Sequence, residues 1–115
     1  MSHTYELVNH KTKEILWIGQ SSLNVRQDPM SFHLYTNTNS LGIDAIALFL
    51  AISLNHPLEL VGEEFDKDPT DGYYRVLPTR NELGIVTGFE VDPEEIKEFE
   101  DCFEKIENKW RLKSL

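Results

Sequence analysis

The feature that most constrains the fold is the run from Leu41 to Leu54, whose apolar residues cover almost every helical face and which contains Asp44 as its one charge. A helix apolar all round must be buried on most sides, so this run predicts a buried central helix. Asn37-Thr38-Asn39-Ser40 precede it, and side-chain oxygens of these types cap the free amides of a first turn. Asn55-His56-Pro57 closes it, because the residue before a proline avoids the α region. The run is too short to span a bilayer. Whatever else the chain forms must wrap this helix.

The flanking segments read as strands. Tyr5–Val8 and Glu14–Ile18 are separated by polar His10–Lys13, which suggests a hairpin stopped at Gly19. Residues 20–30 read as irregular. Phe32, Leu34 and Thr36 alternate with His33, Tyr35 and Asn37, as in a strand with one buried face. Beyond the helix, Leu58–Val61 reads as a strand and Gly62–Gly72 as a loop. Tyr73–Leu77 reads as a strand interrupted at Pro78, and Gly84–Val91 as another with Gly88 as a bulge.

The last element is predicted as a helix over 93–112. Asp92 is placed as N-cap, Pro93 at the first helical position, and Glu95 completes a capping box. Ile96, Phe99, Phe103, Ile106 and Trp110 follow at spacings of three and four. Acids crowd its start and Lys109, Arg111 and Lys113 its end, as the helix dipole favours. The order is roughly βββ-α-βββ-α. The expectation is one α+β domain over 1–115: a mostly antiparallel sheet packed by a buried central helix and a C-terminal amphipathic helix.

Charge is distributed unevenly. The chain carries 20 acids against 11 bases, a net of −9. Residues 1–58 contribute −1 and residues 59–115 contribute −8, concentrated in 59–71 (net −5) and 92–108 (net −6). A surface of one sign attracts ligands of the other. This balance argues against nucleic-acid and anionic-membrane binding, which need clustered Lys and Arg. The single Cys102 cannot form an internal disulfide, and the N-terminus reads as no secretory signal. The expectation is a cytoplasmic protein.

The sequence offers little for chemistry. Asp66 to Gly72 superficially suggests a calcium loop, but Gly and Glu are missing from loop positions 6 and 12. His3, His10, His33 and His56 have no metal-ligand spacing. Cys102 lies among Glu98, Glu100 and Asp101, which disfavour a thiolate. Glu63 with Glu64, Glu94 with Glu95, and Glu100 with Asp101 are pairs typical of solvated surfaces. No phosphate-binding, nucleophile-elbow or Cys-x-x-Cys motif is present. No enzyme activity, metal or cofactor is predicted. Trp17 and Trp110 read as core residues. Tyr73 and Tyr74 should point to opposite faces, one exposed beside acids, a composition suited to interfaces.

Tyr5-x-Leu7-Val8, Ile15-x-Trp17-Ile18-Gly19-Gln20, Phe49-Leu50 and His56-x-Leu58 together resemble a pattern in small bacterial and phage proteins. The resemblance covers roughly the first 60 residues and implies a small cytoplasmic α/β domain with no assigned activity. In size, acidity and lack of catalytic motif the chain also resembles immunity proteins that neutralise bacterial nuclease toxins. That resemblance is one of class and transfers no residue. It implies an inhibitor with a basic protein partner such as a toxin domain. The partner-binding residues would be Glu63, Glu64, Asp66, Asp68, Asp71, Tyr73 and Tyr74, or the acidic face of helix 93–112. A phage accessory domain that binds a host protein and an enzyme of unrecognised type are the alternatives.

Overall fold

A computed structural model describes residues 3–34, 41–62 and 72–113. The fold is mixed and dominated by strands: β1 (His3–Asn9), β2 (Glu14–Ser21), β3 (Phe32–Leu34), α1 (Ile43–Ile52), β4 (Leu58–Val61), β5 (Tyr74–Arg80), β6 (Val86–Val91), α2 (Pro93–Glu98), β7 (Phe103–Ile106) and β8 (Lys109–Leu112). Among the described residues, six strands form one sheet in the order β4-β1-β2-β5-β6, with β3 also paired to β2. The pairings are antiparallel except β2–β5, which joins only Glu14 to Tyr74 and Ile15 to Arg75. The free edge of β2 is therefore shared, β5 taking its start and β3 its end.

The β1–β2 hairpin forms as its sequence suggests, but Gly19 does not stop it: β2 runs on to Ser21, still paired with β1. Lys13 takes the left-handed conformation (φ 62°) that closes the turn. Asn9 organises the turn from within. Its Oδ1 accepts from the Lys11 and Thr12 amides at 2.9 and 3.0 Å, and its Nδ2 donates to Ser53 Oγ at 2.9 Å. The amide also meets His56 Nδ1 at 3.0 Å. Asn9 is 1% exposed and so ties the hairpin turn to the end of α1.

Alternation along β1 and β2 sorts the core. Leu7 and Leu16 are register partners on one face, and Val8 and Ile15 on the other. On the first face lie Leu41, Ala45, Phe49 and Val76, with Ile18, Ile46, Tyr74, Val86 and Phe89 packed against them. The Phe49 and Phe89 rings meet edge to face, their centroids 5.4 Å apart. On the second face Arg75 lies over the Trp17 ring, 5.0 Å from its centroid, and reaches Asp92 at 2.7 Å.

Several expectations need correction. α1 is not buried on most sides. Ala45 and Phe49 are its buried residues, while Ile43, Leu50, Ile52 and Leu54 around it are 74, 45, 49 and 73% exposed. A sheet beneath a helix covers one stripe, and nothing described covers the rest. Its N-cap is Gly42, without a side-chain cap, and Asn37–Ser40 lie outside the described residues. β5 passes straight through Pro78, opposite Phe89. Beyond Arg75 the β2 side of β5 is unpaired among the described residues, so a missing N–H can be accommodated there. The bulge expected at Gly88 falls beside it: Thr79 pairs Gly88 and Arg80 pairs Val86, leaving Thr87 as the extra residue.

The C-terminal helix is the largest correction. Asp92 does cap α2, accepting from the Glu94 amide at 2.9 Å, with Pro93 following. The Asp92 amide donates to the Arg75 carbonyl, so the reciprocal half of a capping box is not its partner. The helix then stops at Glu98. A 3-10 turn over Glu100–Cys102 leads into the β7–β8 hairpin. Glu107 and Asn108, both left-handed (φ 52° and 66°), make its two-residue turn. A helix continued past Glu98 would have stacked Glu100 on Glu104, four residues apart and of like charge. The acids of 92–108 therefore form no single helix face.

Candidate functional site

The sequence-predicted site divides. Glu63, Glu64, Asp66, Asp68 and Asp71 lie outside the described residues. Tyr73 and Tyr74 are described, and they enter different surroundings.

Tyr73 joins a polar cluster on the hairpin turn. Its hydroxyl meets His10 Nδ1 at 2.8 Å, and His10 Nε2 meets Glu59 Oε1 at 3.0 Å. Lys13 Nζ lies 5.1 Å from the Tyr73 ring centroid. Gly72, at φ 89°, gives the chain the left-handed turn that delivers Tyr73 here, and a Cβ on it would come within 3.0 Å of the Lys13 side chain. The cluster joins β4, the β1–β2 turn and the start of β5. Glu59 and His10 are 57 and 31% exposed at their side chains.

Tyr74 turns to the opposite face, into a groove of about 420 Å³ between β6 and β8. Its ring meets Phe103 edge to face at 6.4 Å. Burial, with the Glu14 carboxylate adding to it, pushes the phenol up to about 12, and the Arg111 guanidinium opposes them. Thr87–Val91 line one wall and Asn108–Arg111 the other. Trp110, expected in a helical core stripe, is 40% exposed on the β8 wall. The groove residues missed by sequence reasoning are Glu14, Glu90, Lys109 and Arg111. The two-residue turn at Glu107-Asn108 was the signal that could have exposed the hairpin carrying two of them.

The remaining candidates hold no constellation. His33 is exposed on β3 and Cys102 is half-buried in the 3-10 turn. Among the described residues no three His, Cys, Asp or Glu side chains are grouped to hold a metal ion, and no helix is long and apolar enough to cross a membrane. A second polar contact of note joins α1 to β5: Arg80 grips Asp44 with two bonds, Nη1 to Oδ2 at 2.7 Å and Nη2 to Oδ1 at 3.0 Å.

Ile43, Ala47 and Leu50 on α1 and Leu54 in the turn just after it follow one another at spacings of four, three and four, and all are exposed. That spacing puts the three helical residues on a single face, turned away from the Ala45–Phe49 stripe. Comparison with family models, curated proteins and solved structures finds no match.

Proposed function

We propose that this protein works by binding another protein, as a non-catalytic inhibitor of a basic partner. In its most specific form the reading is an immunity protein that neutralises a nuclease-type bacterial toxin. One observation carries it: an acidic chain of net charge −9 leaves an apolar face of α1 and the turn after it, from Ile43 to Leu54, open to solvent. Large exposed apolar patches on soluble chains mark interaction surfaces. The charge sets the sign of the partner.

The physical case joins the two. A nuclease must attract phosphate, so its cleft is positive, and an acidic protein can occupy that cleft as a polyanion mimic. Charge then steers the encounter and raises the association rate. Apolar burial supplies affinity that charge alone does not.

The test uses the purified chain and a basic nuclease domain encoded by a neighbouring gene. The expected result is a complex that suppresses nuclease activity and associates more slowly as salt rises. Reversing Asp66, Asp68 and Asp71 to Lys should slow association, by about tenfold or more at low salt. Changing Leu50 and Leu54 to Asp should chiefly speed dissociation. An unchanged association rate in the charge-reversed protein would exclude the 63–71 surface. A nuclease left fully active by saturating protein would sink the inhibitor reading.

A further inference from the structure

The groove between β6 and β8 has a composition that the inhibitor reading does not use. Residues 87 to 91 line it consecutively, as do residues 108 to 111. Side chains alternate across a strand, so consecutive lining residues mean that the strand edges face the groove. β6 ends the sheet order, and its outer edge is unpaired among the described residues.

The charged residues that line the groove are balanced, and they are not spent on one another. Lys109 and Arg111 contribute two positive charges, and Glu14 and Glu90 two negative ones. Among the described residues none of the four forms an ion pair. Three aromatic residues, Tyr74, Phe89 and Trp110, stand among them.

We propose that this groove binds a small zwitterion carrying an aromatic ring, of the size of an aromatic dipeptide. The volume falls within the roughly 300–1,000 Å³ of small-ligand sites. Lys109 and Arg111 receive the carboxylate through charge-assisted bonds. Glu14 and Glu90 receive the ammonium, and the exposed Trp110 face takes the ring. The open edge of β6 supplies backbone partners for the peptide group. A polyanion such as a nucleotide meets a groove of zero net charge on a chain of −9, and is repelled overall. A neutral apolar molecule would desolvate four charges without matching any. Charge balance and aromatic lining together select the zwitterion.

The test is an amide NMR titration of the full chain with glycyl-phenylalanine. Its N-acetylated form, its C-terminal amide, glycyl-leucine and adenosine monophosphate serve as comparisons. The expected result is saturable shifts at the amides of residues 87–91 and 108–111. Loss of the probe's amine, carboxylate or ring should weaken binding by about tenfold each. Arg111→Gln should weaken the free dipeptide but not its amide, and Glu14→Gln should weaken it but not the acetylated form. These crossed losses separate a site from a folding defect, and unmoved β1 amides confirm the fold of each variant. Absence of saturable shifts, tighter binding of adenosine monophosphate, or indifference to both substitutions would overturn the proposal.

Discussion

Arg75 donates from Nε to Asp92 Oδ2 over 2.7 Å, and the same carboxylate accepts the Glu94 amide at the first turn of α2. One side chain thus neutralises a guanidinium stacked on Trp17 and caps a helix. Both partners are nearly covered, at 11 and 4% exposure. Asp92→Ala leaves the nearly covered Arg75 charge with only the 3.8 Å contact to the exposed Glu94 carboxylate, and removes the cap. The expected loss is about 3–5 kcal/mol, the range for breaking a buried pair, read from urea unfolding midpoints. Asp92→Asn keeps a capping oxygen and should lose about 1 kcal/mol less.

Asp44 titrates as a gripped carboxylate. The hydrogen bonds from Arg80 hold its pKa below the ordinary 3.8. A depressed folded pKa stabilises the protein above the unfolded value, and that contribution fades as pH falls through the folded value. Carboxyl NMR of the native protein should therefore place the Asp44 midpoint below 3.8, and Arg80→Gln should raise it. The contact is at the surface, so the shift should shrink in high salt.

Tyr74 gives the opposite end of the pH scale. Its phenol is pushed up to about 12, against an ordinary value of 10. The unfolded chain loses this proton first, so stability falls as pH rises from 10 towards 12. Ultraviolet titration should show one tyrosine ionising late. Glu14→Gln should lower that midpoint and Arg111→Gln should raise it.

The two sides of α1 should respond differently to substitution. Phe49 is fully buried against the Phe89 ring, and Phe49→Ala should cost about 3–5 kcal/mol. Leu54 is 73% exposed, and Leu54→Ser should change stability by no more than about 0.5 kcal/mol. Thermal unfolding of the two variants beside the native protein checks this contrast. A large loss at Leu54 would mean that the outer face of α1 is not a free surface.

Elements governed by near neighbours were legible in the sequence. The β1–β2 hairpin, the closing of α1 before Pro57 and the Asp92-Pro93 start of α2 rest on contacts between near neighbours, whereas β4, though its strand pattern was legible, is held by the distant β1. The stripe Ile96, Phe99, Phe103, Ile106 and Trp110 misled because it fits a helical period without requiring one. Phe103 is 3% exposed because it packs near Tyr74, and that partner is remote in sequence.

The candidate site was less legible still. Tyr73 and Tyr74 were identified by type, yet one binds His10 and the other enters the groove. The groove brings Glu14 from the first hairpin together with Lys109 and Arg111 from the last, and no spacing encodes that meeting.

The sequence by itself determined local events: where turns close, where helices begin, which residues alternate, and the sign of the charge. Hydrogen bonds and sterics between neighbours decide these. Only the tertiary structure decided which face of an all-apolar α1 stays open, which strands share the edge of β2, and that a stripe of helical period folds into a hairpin. Those outcomes depend on burial against distant partners, and an apolar pattern states that burial is needed without saying against what.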